Sequence, residues 1–253
     1  MSHLFVFLGC FLIFFVLETI YPERSLSPKR KLRVLFHGAV AFGNTIVSRI
    51  FLIIPLLWLS MKCEGAKWTV MAVLKPSLAF EFIMTILLVD LYEYAWHRLN
   101  HLSKFLWRFH RAHHIDEELD VTTALRFHVG ELAISYLAKA FFVLIIGPSW
   151  QFYLVARLMI SCFALFHHSN IHMSLSLQKI LSFFLMTPRL HSGHHTLTKR
   201  TREANYSTIF VVWDTVFGSY QEPEEKELQS LGLPEKMNKV FDLKEFLILP
   251  WRR

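Results

Sequence analysis

Twelve of the chain's fourteen histidines lie between His97 and His195, and they fall in clusters. The clusters read His97-x3-His101, His110-x2-His113-His114, His168-x3-His172 and His191-x2-His194-His195. Residues three or four apart share one face of a helix, so each cluster can aim its imidazoles at one point. Imidazole nitrogen suits iron, zinc, copper and nickel. Ten convergent nitrogens exceed the roughly four ligands of a zinc site, whereas two neighbouring metals with about five ligands each would use them all.

A single i,i+4 pair is common on helices, and Arg108 and Arg111 beside His110 would suit a plain basic surface helix. The recurrence of H-x-x-H-H at 110–114 and 191–195 argues for metal instead. A metal-bound histidine usually gives its second N–H to a carboxylate or a carbonyl. Asp90 and Glu93 precede His97, and Glu93 shares its face. They are candidates to accept such an N–H, or acidic groups that merely flank a helix end. His128 and Glu131 could support the metal-bound histidines or cap the next helix. His167 faces about 100° away from His168 and is left out of the ligand set. His3 and His37 are far from the clusters and are read as structural.

The elements that must carry these residues are apolar. Of 253 residues, 53% are hydrophobic, and the mean hydropathy is +0.36. The excess sits in long runs. Leu4–Tyr21 is about the ~20 residues that cross a bilayer. Val34–Leu59 is broken by His37, Asn44 and Arg49, and a third run extends from Leu78 to Trp96. Glu131–Ile146 and Gln151–Phe166 follow, with Gly147-Pro148 as a turn between them. The first run lacks a basic leader and a small-residue cleavage site, so it reads as an anchor rather than a signal peptide. The expected fold is an all-α membrane protein. It has about four transmembrane helices, the last two as a hairpin, and a cytosolic histidine-rich helical metal cap. Residues 1–75 read as membrane scaffold, 76–220 as the part carrying the chemistry, and 221–253 as a loosely packed cytosolic tail. Ile180–Met186 is too short to span and reads as an interfacial helix.

The net charge is +7 and the pI about 9.4. Arg24, Lys29, Arg30, Lys31 and Arg33 lie between the first two runs. The positive-inside rule places that loop, and with it all four histidine clusters, on the cytoplasmic side. The basic balance thus reflects topology, not nucleic acid. Cys10, Cys63 and Cys162 form no C-x-x-C, so neither a zinc knuckle nor a disulfide framework is indicated. H-E-x-x-H and the glycine-rich nucleotide loops are absent as well.

Asp90 to Ser219 resembles the membrane fatty acid hydroxylase superfamily, in its sterol desaturase branch. The resemblance rests on His-Arg-Leu-Asn-His at 97–101, His-Arg-Ala-His-His at 110–114, Arg-Phe-His at 126–128 and His-Ser-Asn-Ile at 168–171. It continues with Pro-Arg-Leu-His-Ser-Gly-His-His at 188–195, Asn-Tyr at 205–206 and Trp-Asp-Thr-Val-Phe-Gly-Ser at 213–219. Ser207 stands where the family usually has glycine, Val129 where it often has proline, and the position of His172 varies between branches. The resemblance implies a non-haem di-iron oxygenase whose metal ligands are His97, His101, His110, His113, His114, His168, His172, His191, His194 and His195. Asn170 joins Asp90, Glu93, His128 and Glu131 as a candidate support for those ligands. Two irons are implied, with zinc as a possible substitute. Such enzymes use O2 to hydroxylate or desaturate a lipid C–H position. Their electrons come from NAD(P)H through a separate redox protein of cytochrome b5 or ferredoxin type. The endoplasmic reticulum and the bacterial inner membrane both suit the topology. Sterol, fatty acyl chain, sphingoid base, alkylglycerol and carotenoid all remain open as substrate. The alternative is a histidine-rich membrane metal transporter or metal-binding protein. Transport would need ionisable ligands within the spans, whereas the clusters lie at span ends and in loops.

Overall fold

The computed structural model describes residues 2–48, 54–64, 66–235 and 241–252. The described residues are helical, with isolated bridges at Pro22–Ile171, Leu185–Phe210 and Thr196–Leu231 and no sheet. The helices up to the histidine-bearing end of the bundle are α1 (Ser2–Ile20), α2 (Arg30–Ser48), α3 (Ile54–Cys63), α4 (Val70–Leu74, a single turn), α5 (Leu78–Leu102), α6 (Lys104–His114), α7 (Val129–Ile146) and α8 (Trp150–His168). Short helices follow: α9 (Leu175–Ser182), α10 (Pro188–His194), α11 (Lys199–Arg202), α12 (Val212–Val216), α13 (Glu225–Leu228) and α14 (Leu243–Ile248).

Among the described residues, three helical stretches are long and apolar enough to cross a membrane: His3–Ile20, Val129–Ile146 and Trp150–His168. This differs from the expected four in two places. The run 34–59 is not one described helix, since α2 and α3 lie on either side of residues 49–53, which are outside the described residues. α2 also opens on Arg30, Lys31 and Arg33, and Arg33 is buried against Asp116 and Asp120. α5 is long enough at 25 residues but carries Glu81, Asp90 and Glu93. It packs against α8 at the centre of the molecule, where those charges find partners instead of lipid.

The α7–α8 hairpin forms as its turn residues dictate. Gly147 caps α7 with φ of 63°, and a Cβ there would lie 2.4 Å from the Cβ of Thr69. Only glycine meets both conditions without strain. Beyond the turn, Ser149 donates from its backbone N and its Oγ to Glu81 of α5, which pins the end of the bundle opposite the histidines. At the histidine end, Ser103 stops α5 and caps α6, accepting from the Leu106 N–H, so the chain folds back directly after His101. α10 starts on Thr187-Pro188, a hydroxyl cap followed by a proline that costs no helical hydrogen bond at that position.

Glu18 at the end of α1 is fully buried and accepts from the backbone of Val121 and of Asn170, tying α1 to the histidine end. Described residues near the C-terminus pack against the bundle. Phe246 and Leu249 are buried with Phe36, Val40, Ala112 and Ile115 in one apolar cluster behind α6. A short helix, α9, forms slightly earlier than the expected 180–186, and Ile180, Phe183 and Phe184 around its end are exposed.

Candidate metal centre

Nine histidines converge at one end of the bundle, in two adjoining groups. His97 and His101 come from the last turns of α5, His110, His113 and His114 from α6, and His168 from the end of α8. His191, His194 and His195 come from α10 and the residue that caps it. The first group is His97, His101, His110, His114 and His194; the second is His113, His168, His191 and His195. Within each group one ligand nitrogen per residue lies within 4.8 Å of the others.

The partition differs from one aiming point per cluster. Each H-x-x-H-H motif sends its outer pair to one group and its middle histidine to the other. His110 and His114 enter the first group and His113 the second, while His191 and His195 enter the second and His194 the first. Helical geometry explains the split: residues four apart nearly superpose in projection, whereas an adjacent residue is turned by about 100°. The two groups are therefore interlocked, and His114 stacks on His195 with ring centres 4.4 Å apart.

The donor chemistry fits metal. His97 Nδ1 lies 2.9 Å from the Tyr206 carbonyl and His194 Nδ1 lies 2.6 Å from that of Ala204. A carbonyl only accepts, so in each neutral ring the proton sits on Nδ1 and Nε2 holds a bare lone pair. Those two Nε2 atoms face each other at 2.9 Å. His110, whose Nδ1 donates to Glu131 at 2.8 Å, and His168, donating to the Ala164 carbonyl at 2.7 Å, are fixed in the same tautomer. Nε2–Nε2 separations elsewhere are 3.0 Å for His113–His168 and His168–His191 and 3.2 Å for His101–His114, His110–His114 and His191–His195. Adjacent nitrogens bound to one ion at about 2.1 Å and near right angles would be about 3.0 Å apart. Lone pairs at such distances repel unless a cation lies among them.

Protons are a poor substitute for that cation. Burial, then the proximity of neighbouring imidazoles, pushes His113, His114, His191, His194 and His195 well below the ordinary imidazole range. These rings are neutral at pH 7 and available as ligands. Nδ1 of His113, His114, His191 and His195 is buried without a partner among the described residues, so the protein sets no tautomer there.

The other predicted residues take different places. His172 is not brought to the cluster. It follows the end of α8, its side chain is 65% exposed, and its Nδ1 lies 2.6 Å from Glu23. Glu131 touches a histidine, as described. Asp90 does not: fully buried, it accepts from the backbone N–H groups of Ile209 and Phe210 and from the Trp213 indole. It thereby holds the 206–213 loop that delivers the Tyr206 carbonyl to His97. Glu93 is drawn to Arg157 and Lys139. His128 caps α7, accepting from Gly130 N on Nδ1 and donating from Nε2 to the Leu247 carbonyl. Asn170 bonds the backbone of Arg24 through both ends of its amide.

Two participants were not among the predicted site residues. Asp214 is buried and accepts from Tyr206 N, Ser207 N and Ser219 Oγ, completing the loop that Asp90 starts. His167, excluded because of its helical phase, lines the cavity beside the cluster. Its ring lies 4.0 Å from that of His191, and its Nδ1 donates to the Thr208 carbonyl.

That cavity, about 370 Å³, runs from His97, His110, His113, His168 and His191 down between α5, α7 and α8. Trp96, Phe127, Leu132, Ile160 and Leu165 give it an apolar wall.

The family model described as fatty acid hydroxylase matches residues 82–219. Ornithine lipid hydroxylase OlsE of Rhizobium tropici is 27% identical over 164 residues, covering 65% of this chain and 49% of its own length. Alkylglycerol monooxygenase of Homo sapiens is 29% identical over 151 residues, 58% of this chain and 32% of its own. Cholesterol 25-hydroxylase of Rattus norvegicus is 25% identical over 239 residues, 89% of this chain and 77% of its own. The chain thus spans half or less of the first two of these relatives. No solved structure matches it.

Proposed function

Since the chain belongs to the fatty acid hydroxylase family, we propose that it is a membrane-bound non-haem di-iron oxygenase that hydroxylates an unactivated C–H position of a lipid. The observation that carries this reading is the pair of interlocked imidazole groups opening onto an apolar cavity between candidate membrane spans. The relatives' names, each a hydroxylase or a monooxygenase, favour hydroxylation over desaturation.

In this reading His97, His101, His110, His114 and His194 hold one iron, and His113, His168, His191 and His195 hold the other. When bound, the iron pair supplies O2 activation and oxidation of the C–H bond, with electrons from a separate redox protein of cytochrome b5 or ferredoxin type. The protein's part is placement. The carbonyls of Tyr206, Ala204 and Ala164 and the carboxylate of Glu131 fix four rings with their Nε2 atoms turned inward. Carboxylate or carbonyl partners of this kind raise ligand basicity as well as fixing orientation. The second oxygen of Glu131 is buried beside the cavity without a partner among the described residues, next to His110. The apolar walls align a hydrocarbon segment and keep water away from the reacting position. The histidine end lies at the cytoplasmic membrane surface, where a lipid enters from the bilayer and electrons arrive from the cytosol.

Mass-spectrometric comparison of lipids from cells with and without the protein tests this. A lipid heavier by one oxygen, formed only when O2 is present, is the expected result. Loss of two hydrogens instead identifies a desaturase. Unchanged lipids together with metal flux into protein-loaded vesicles would replace the reading with the transporter.

A further inference from the structure

The cavity has a charged wall as well as an apolar one. Glu93 of α5, Lys139 of α7 and Arg157 of α8 all line it. Arg157 ion-pairs with Glu93 through Nη1. Lys139 Nζ lies 3.5 Å from the same carboxylate oxygen and 2.7 Å from Ser135 Oγ. Two cations therefore share one carboxylate deep in the helix bundle. Ionisable side chains at membrane depth are costly, face the protein interior and mark functional paths.

A pair that only tied helices together would close on itself. This one does not. Arg157 keeps 26% of its side chain exposed, and among the described residues Glu93 is the one side chain that takes its guanidinium N–H groups. The charged wall is also in register with the metal ligands. Glu131, which bonds His110, is followed on the same face of α7 by Ser135 and Lys139. Eight residues of helix place Lys139 roughly 12 Å along the axis from Glu131.

We propose that Arg157 and Lys139 anchor the polar end of the substrate. They donate hydrogen bonds to an oxygen of a lipid, a carboxylate or a hydroxyl, whose hydrocarbon part extends up the cavity to the histidines. The inference rests on the lipid-oxygenase reading above and narrows it to oxygenated lipids. A pure hydrocarbon would cover the two cations and leave their remaining N–H groups without acceptors, which is costly in a dry cavity. An acceptor oxygen removes that penalty, and a guanidinium can grip a carboxylate with two parallel bonds.

The test uses the full chain in detergent micelles and measures retention of radiolabelled stearic acid, stearyl alcohol and octadecane, with iron counted in the same samples. Wild type is expected to retain the acid, the alcohol or both roughly tenfold better than octadecane, the worth of one hydrogen bond to a charged group. Preference for the acid identifies an anionic head group; retention of the alcohol at least as strong identifies a neutral acceptor. The double variant E93Q/R157M removes the ion pair as a unit and should lose the preference. K139M should weaken it, and R157K, which keeps a cation, should retain part of it, all with unchanged iron and helical circular dichroism. Octadecane held as tightly as the oxygenated lipids by wild type would overturn the proposal. So would an undiminished preference in both E93Q/R157M and K139M. Retention requires no turnover, so iron-free wild-type protein would refute the metal reading while leaving this one measurable.

Discussion

His194→Ala protein will lose lipid hydroxylation and metal together. His194 is braced from both sides: its Nδ1 donates to Ala204, and its Nε2 meets that of His97 at 2.9 Å. Alanine deletes one of five nitrogens and the neighbour that faces His97. Loss of an outer hydrogen-bond partner alone typically costs about 10–100-fold in metal affinity or activity, so removal of a ligand should cost on the order of a hundredfold or more. His113→Ala should do the same from the second group, because its Nε2 is 3.0 Å from His168 and belongs to a set of four. His172→Ala is the internal control. The ring is exposed and paired with Glu23, so metal content and turnover should stay at wild-type levels. Metal analysis and turnover on the same purified samples decide the matter. Full turnover in His194→Ala, or metal loss in His172→Ala, would break the ligand assignment.

Asp90→Ala should unfold the site from behind without touching a ligand. The carboxylate is inaccessible to solvent and accepts three hydrogen bonds, at 2.9, 3.0 and 2.8 Å, from Ile209 N, Phe210 N and the Trp213 indole. Alanine leaves three buried donors without an acceptor, at about 1–3 kcal/mol each. The sum is comparable with the whole stability margin of a folded chain. A fall in Tm of roughly 10 °C or more is expected, or no accumulation of folded protein at all. Metal should be lost as a consequence, because the same loop presents the Tyr206 and Thr208 carbonyls to His97 and His167. Asp90→Asn keeps one acceptor oxygen but aims an amide N–H at a donor, so its Tm should lie between alanine and wild type. Wild-type melting and metal content in Asp90→Ala would show that the loop holds itself.

What could be read from the chain, and what could not, follows from the range of the forces involved. The histidine clusters were legible because they sit at helix ends, where spacings of three and four translate directly into a shared face. The 100° step between neighbouring histidines splits each H-x-x-H-H motif locally, but which halves join into one group depends on how α6 and α10 rotate against each other across some eighty residues of sequence. His172 lost its place for a local reason. α8 ends at His168 and Ser169 is extended, so helical spacing no longer applies four residues later. Glu93 shares a helix face with His97, but Lys139 and Arg157 compete for it from distant helices, and no local pattern records them. The membrane count differed for a related reason. Hydropathy counts charge without asking where it points, and α2 turns Arg33 inward as α5 does Asp90 and Glu93. The α7–α8 hairpin, written in Gly147-Pro148, needed no long-range information.

Two irons are expected to share this end of the bundle. Iron-replete full-length protein should contain two irons per chain by elemental analysis. X-ray absorption at the iron edge should show a first shell dominated by imidazole nitrogen, with a second iron as a nearby scatterer. A single metal per chain, zinc in place of iron, or an iron shell without imidazole would contradict the account.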